Sequence, residues 1–342
     1  MAKKQVTFAD IAEYTGFSKT TISRYFNHPD SLTLENQEKI AKALDELGYR
    51  KNKLARVLAN GKSEFVGIIV PNLYLHYYSE MLTQLLRSYS DYHYKFLVFV
   101  SDGGPEKEMQ YRDELIDYKI EGLIVLSHTL SSEKLASYNI PVIAIEREAE
   151  HICSVTTDNY MGSMQATSLL IRNQCDVLIH INVHVPENIP AYDRIRAFEE
   201  TCREYHVPYE LNLNVSGDSY QELFEQMRVI FQDIDSKYSG QKKGIFLSND
   251  TYANIFLNLI FQKYNSLPDE YQIIGFDNSP IAAESIIPIT TIGQQIDVIA
   301  QTTMELLVEQ MNEMKKRKPA PLQKPIHKKI TPVLIRRQTT GD

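Results

Sequence analysis

From Phe65 onward the chain alternates short apolar runs with amphipathic stretches of helix length. The runs FVGIIVP (65–71), YKFLVFVSD (94–102), EGLIVLS (121–127), PVIAIE (141–146), DVLIHIN (176–182), GIFLSND (244–250) and YQIIGFD (271–277) are rich in Val and Ile. They predict strands covered on both faces. Joined by crossover helices, such strands form parallel sheets whose ligand crevices open at the carboxyl ends. Before Phe65 the period changes, and apolar residues recur at helical spacing with no strand-like run. A chain of 342 residues exceeds one ordinary domain. The expected class is therefore a multidomain α+β protein: an N-terminal three-helix unit, then a two-lobed α/β core with parallel sheets.

Residues 6–27, VTFADIAEYTGFSKTTISRYFN, have the layout of a helix-turn-helix. Thr7 and Asp10 have the spacing of a capping box, with Ala9, Ile11 and Ala12 as the apolar face of a first helix. Gly16 supplies the positive φ of a tight turn, and Ser18 caps a second helix through Phe26. Ile22 and Phe26 turn inward, leaving Lys19, Thr20, Ser23, Arg24 and Asn27 as an outward strip of hydrogen-bonding groups suited to a major groove. The third helix, TLENQEKIAKALDELGY, is capped by Thr33 and stopped by Gly48, with Ile40, Ala43, Leu44 and Leu47 closing the core.

With VTFADIAEYTGFSKTTISR, DELGY, NKLARVL and VGIIVPN in this order and spacing, the chain resembles the lactose repressor (LacI/GalR) family of bacterial transcription regulators. The resemblance continues in pieces to the C-terminus. It implies a homodimeric, sequence-specific DNA-binding regulator with a helix-turn-helix headpiece (1–50), a hinge helix and linker (51–62), and a core like the periplasmic sugar-binding proteins. The implied N-terminal lobe is 63–163 with 291–322; the C-terminal lobe is 164–290 with 323–342. The implied partner is a double-stranded, pseudo-palindromic operator, touched by Thr7, Ser18, Lys19, Thr20, Thr21, Ser23, Arg24 and Asn27. Asn52, Ala55 and Leu58 are the implied hinge contacts, with Leu58 wedged into the minor groove. Lys51 departs from the family, where a proline usually precedes the hinge.

Charge agrees with that division. Residues 1–62 hold 11 Lys and Arg against 7 Asp and Glu, in a chain whose net charge is −8. A basic end on an acidic protein confines a nucleic-acid footprint to that end. Three scattered cysteines, Cys153, Cys175 and Cys202, offer neither a disulfide framework nor a zinc spacing and read as packing residues. With no export signal and no membrane-spanning run, the expected location is the bacterial cytoplasm, at the nucleoid when DNA-bound. No leucine heptad suggests assembly beyond a dimer.

Strand ends of the core carry the candidate effector chemistry, which the resemblance assigns to a sugar or sugar phosphate. Tyr74 lies in the loop after the first core strand, while Tyr77 and Tyr78 are expected to pack at the start of the next helix. Arg194 falls on the family's R-x-x-G-[FW] signature, with Ala197 in place of glycine and Phe198 as the aromatic. Its planar fork suits a diol, a carboxylate or a phosphate, or a salt bridge between lobes. Asn249 and Asp250 match an Asn-Asp pair after a strand, Asp250 being equally fit to cap the next helix. Asp277 matches an aspartate that ends a strand, or a turn residue before Asn278. Glu146 replaces the usual aspartate after the fourth strand. Ser219 stands where relatives place an aromatic, so either the pocket lacks that stacking wall or Tyr220 supplies it from a shifted register.

No P-loop, dinucleotide fingerprint, nucleophile elbow or metal-ligand cluster is present, so no enzyme activity, metal or cofactor is expected. A free sugar-binding protein would explain the core and leave the headpiece idle. The expected function is a repressor of a carbohydrate-utilisation operon. The alternative is a carbon-catabolite regulator controlled by a protein corepressor.

Overall fold

The computed structural model describes residues 6–49, 63–101, 104–215, 219–316, 318 and 324–341. The hinge readings at Lys51, Asn52, Ala55 and Leu58 lie outside them. The chain divides into two compact units, 1–63 and 64–342.

In the first unit, helix α1 spans Phe8–Thr15, α2 spans Lys19–Asn27 and α3 spans Leu34–Glu46. The Thr7 hydroxyl accepts from the Asp10 N–H, and the Asp10 carboxylate accepts from the Thr7 N–H at 2.7 Å, which closes the capping box. Gly16 takes φ 75°, a value at which a Cβ would be strained. Ser18 and Thr33 cap α2 and α3. Ile11, Ile22 and Ile40 form a fully buried core. Phe8 stacks on Phe26 at 5.2 Å, and Tyr49 tilts against both. Ala9 corrects the expected apolar face of α1: it is exposed, and Phe8, Ile11 and Ala12 face inward.

The second unit holds two six-stranded sheets. The first contains β1 (Phe65–Val70), β2 (Lys95–Val100), β3 (Gly122–Val125), β4 (Val142–Ile145), β5 (Cys153–Thr157) and β11 (His327–Ile330), in the order β11-β5-β4-β3-β1-β2. The second contains β6 (Val177–Ile181), β7 (Tyr209–Asn212), β8 (Lys243–Leu247), β9 (Tyr271–Asp277), β10 (Thr290–Gly293) and β12 (Val333–Ile335), in the order β12-β10-β9-β8-β6-β7. All pairings are parallel except β10 with β12. Both orders reverse direction at one strand pair, β1/β3 and β6/β8, and doubly wound sheets bind ligands at such switch points.

Alternate strand residues serve the two faces. Val66, Ile68 and Val70 pack with Ile124, Ile143 and Val155 beneath helices His76–Arg87 and Ile296–Met314. Ile69, Leu123, Val125 and Ala144 pack on the other face with Leu115 and Leu135. In the second sheet Ile179, Ile245 and Ile273 face one layer, and Leu178, Phe246, Ile274 and Phe276 the other. Burial on both faces is why these strands read as unbroken apolar runs.

Sheet membership differs from the expected lobe limits at two places. β11 pairs with β5, so residues 327–330 belong to the first sheet and not with the second lobe. The helix Asn159–Arg172, capped by Asp158, packs on the second sheet, so the chain crosses at 158 and not at 163. It returns after β10 and crosses again between β11 and β12. Cys153, Cys175 and Cys202 are buried and unpaired. Among the described residues no helix is long and apolar enough to cross a membrane.

Candidate functional site

On the headpiece, Lys19, Thr20, Arg24 and Asn27 are exposed along α2, opposite buried Ile22. Ser23 is half-buried and accepts from Asn27 Nδ2 at 3.3 Å. The Ser18 and Thr21 hydroxyls bond each other at 2.9 Å. Thr7 and Ser18 occupy helix starts, where free N–H groups and the helix dipole favour phosphate. Lys19, Thr20, Arg24 and Asn27 thus form an exposed strip of hydrogen-bonding side chains on α2.

In the core, residues following strands of both sheets meet in one buried hydrogen-bonded cluster. Glu146, directly after β4, accepts from the Thr157 N–H and, at 2.9 Å, from Asn159 Nδ2. The Asn159 carbonyl oxygen accepts from Arg194 Nε at 2.7 Å. Arg194 Nη1 donates to the Ser248 carbonyl at 2.6 Å, and the guanidinium lies 3.7 Å from the Phe276 ring centroid. A second branch runs from the Thr157 hydroxyl to Gln294 Oε1 at 2.7 Å, and from Gln294 Nε2 to Asp277 Oδ1. Glu146, Asn159, Arg194, Asp277 and Gln294 are all buried. Glu146 and Asp277 sit at φ 52° and 110°, backbone regions that favour glycine and that persist where a site demands a particular side-chain direction. Burial pushes the Asp277 carboxyl well above the usual carboxylate range, although the Arg194 charge pulls it down.

Tyr77 and Tyr78 pack at the start of the helix His76–Arg87, as expected, and also lie near the cluster. Their rings meet edge to face at 5.3 Å, and both hydroxyls lie within electrostatic reach of Glu146, Asp277 and Arg194. Tyr77 is buried and its hydroxyl has no hydrogen-bond partner among the described residues. Tyr74 sits near Tyr252 in the second lobe, and His76 Nδ1 lies 3.1 Å from Thr251 Oγ1.

Asp250 has a different place. It is fully buried, its Oδ2 accepts from the Ser279 N–H and hydroxyl at 2.8 and 3.2 Å, and its Oδ1 accepts from Thr291 Oγ1 at 2.6 Å. Burial raises its pKa to about 7 against the pull of those donors. The capping role falls to Asn249, whose Oδ1 accepts from the Tyr252 N–H at 2.9 Å. Tyr220 is exposed and leans on Phe224, while Ser219 caps that helix.

The sequence reading missed Asn159, Thr157 and Gln294. Each is an uncharged polar residue at the end of a strand or one or two positions beyond it, and only the three-dimensional meeting of the ends of β4, β5, β8, β9 and β10 brings them together. The Gln in GQQ directly after β10 was the available signal.

A helical headpiece of DNA-reading type followed by a two-lobed core with a buried polar cluster where the lobes meet defines a ligand-responsive transcriptional regulator. The chain belongs to the lacI family of bacterial regulatory proteins: that family's model matches residues 7–52. The model for periplasmic binding proteins and the sugar binding domain of the LacI family matches 63–194, and a periplasmic binding protein-like domain matches 170–340. It is 29% identical to the sucrose operon repressor of Streptococcus mutans, over 89% of this chain and 92% of that one. It is 27% identical to the ribose operon repressor of Halalkalibacterium halodurans, over 90% and 91%. A crystal structure of a periplasmic binding protein/LacI transcriptional regulator from Alkaliphilus metalliredigens, complexed with D-xylulofuranose, superposes with a TM-score of 0.71 at 27% identity, covering 82% of this chain and all of that one.

Proposed function

We propose that this regulator is a repressor of a carbohydrate-utilisation operon, a cytoplasmic homodimer without enzymatic activity, whose affinity for a pseudo-palindromic operator is changed by a carbohydrate held between the core lobes. The observation that carries the reading is the buried Glu146–Asn159–Arg194 and Thr157–Gln294–Asp277 network, a constellation of carboxylates and amides with tyrosine hydroxyls beside it. Carboxylates and amides arranged around aromatic walls fit the vicinal hydroxyls and apolar faces of a sugar. The names of the sucrose and ribose operon repressors and the furanose bound by the structural relative support the same class.

In this reading Lys19, Thr20 and Arg24 contact bases, and Thr7, Ser18, Thr21, Ser23 and Asn27 contact phosphate. Asn52, Ala55 and Leu58, outside the described residues, are the hinge contacts. Tyr74, Glu146, Arg194 and Asp277 line the effector site, with Tyr220 at its rim and Asn249 and Asp250 shaping it from behind. Effector binding closes the lobes and shifts the operator-competent population, by about 1–3 kcal/mol of coupling.

The test is fluorescence anisotropy on DNA from the protein's own upstream region, at fixed salt. Arg24→Ala should weaken specific binding by about 1–3 kcal/mol with little change in nonspecific affinity. Equal losses on operator and random DNA would remove Arg24 from base reading. Operator affinity that responds to no carbohydrate would overturn the effector class.

A further inference from the structure

The charge of the effector can be inferred one step further, resting on the cleft as the effector site. Three buried polar atoms near the carboxyl edge of the first sheet find no hydrogen-bond partner among the described residues: Tyr77 Oη, Ser127 Oγ and Glu108 Oε1. Glu108 is fully buried, and its Oε2 accepts from Ser101 Oγ, just beyond β2, at 2.7 Å. Ser127 lies two residues beyond β3, with Arg147 donating to its carbonyl and feeling the Glu108 charge. Asp277 adds a further acceptor, because among the described residues only its Oδ1 receives a bond.

Unpaired buried polar atoms are costly and call for a partner. Glu108 Oε1 requires a donor, while the Tyr77 and Ser127 hydroxyls, and the Asp277 carboxyl whose burial favours its protonated form, can give or receive. A ligand hydroxyl can partner each of them; a phosphate dianion, which offers acceptors alone, leaves Glu108 unmet and adds like-charge repulsion.

The cations that could receive a phosphate are already committed. Arg194 uses Nε for Asn159 and Nη1 for Ser248, so each two-nitrogen edge of its fork has lost one member, and Phe276 covers one face. Arg147 gives both terminal nitrogens to the carbonyls of Ser127 and Leu130. Burial pushes the His128 and His180 imidazoles down to about 4 and about 3, so both are neutral. The strand-end segments 71–75, 126–131, 146–152, 182–191, 213–215, 248–249, 278–279 and 294–295 contain no lysine, and Lys107, in the segment after β2, lies over the Tyr111 ring at 5.8 Å. Three helix starts at strand ends are occupied: Asp158 and Asn249 cap two of them, and the first N–H groups of Tyr192–Glu204 bond the carbonyls of Ile189, Pro190 and Ala191.

We propose that the cleft takes an uncharged carbohydrate and rejects its phosphate esters. Titration calorimetry on the full chain tests this with glucose, fructose, ribose and sucrose, each against its own phosphate ester. The expected result is one sugar bound about a hundredfold or more tighter than its ester, the scale of like-charge rejection in a desolvated site. An ester bound as tightly as its parent, or tighter, overturns the proposal and leaves the carbohydrate reading standing. Binding of no member of any pair overturns the carbohydrate reading, and this inference with it. In Glu108→Gln the preference should narrow about tenfold, since one charged acceptor is gone. A preference left unchanged contradicts the assignment of Glu108 to the ligand.

Discussion

Asp277→Ala is expected to abolish the effector response while operator binding is retained. Asp277 ends β9 at φ 110° with its carboxylate buried and one oxygen unbonded among the described residues. A hydrogen bond to a charged group contributes about 1.5–3 kcal/mol, so losing the carboxylate should weaken the effector by about tenfold to a hundredfold or more. The headpiece folds around its own isoleucine core as a separate unit, which is why DNA binding survives. Calorimetry and operator anisotropy on the variant check both halves. An Asp277→Ala protein that still responds to effector at wild-type concentrations would remove this residue from the site.

The same carboxyl sets a pH dependence. Its folded pKa is raised, so the stability it contributes is present at low pH and is lost as pH rises through the folded value. A sugar that donates hydroxyls to the ionised form lowers that pKa again. Effector affinity should therefore rise with pH from the ordinary carboxylate range upward and level off once Asp277 is ionised. Affinity that falls over this window would contradict the role given to the carboxylate.

The largest expected stability loss comes from a single methyl group. A Cβ on Gly275 would stand 2.3 Å from Asp250 Oδ1 and 3.3 Å from Ala253 Cβ. Asp250 cannot swing away cheaply, because Thr291 holds Oδ1 and Ser279 holds Oδ2 in a fully buried setting. Gly275 and Thr291 are directly paired between β9 and β10, so the clash falls inside the ladder. Overpacking costs about 1–3 kcal/mol, and an unsatisfied buried carboxylate about the same again. Gly275→Ala should lower the core's Tm by roughly 10 °C, taking about 2–4 °C per kcal/mol for a unit of this size. Adding Asp250→Ala removes the obstructing oxygen, so the double variant should lose much less than the sum of the two single losses. Additive losses would show that the two residues do not compete for the same space.

Much of this architecture was legible in the chain. Unbroken apolar runs such as FVGIIVP and YQIIGFD marked parallel strands, because burial on both faces removes polar alternation. Thr7, Gly16, Ser18 and Thr33 announced the headpiece helices because capping and positive φ are local requirements. β5, β7, β10 and β11 escaped the reading: CSVTT, YELN, TTIG and HKKI carry polar or charged residues, and β11 is an edge strand whose first three residues are exposed. The site was half legible. Arg194, Asp277 and Glu146 carried signals of their own, whereas Asn159 and Gln294 matter only through partners 35 and 17 positions away in sequence. Asp250 illustrates the opposite error: a carboxylate beyond a strand looked like a sugar ligand until three internal donors were seen around it.

The measurement that bears most directly on coupling between cleft and headpiece is the affinity of the effector sugar measured twice, with the protein free and with it saturated by operator DNA. Linkage requires that the factor by which sugar changes operator affinity equals the factor by which operator changes sugar affinity. The expected result is a shift of about 5- to 150-fold between the two titrations, matching the shift seen by anisotropy. A sugar bound equally well with and without operator would contradict it, and the cleft would then be a binding site with no hold on transcription.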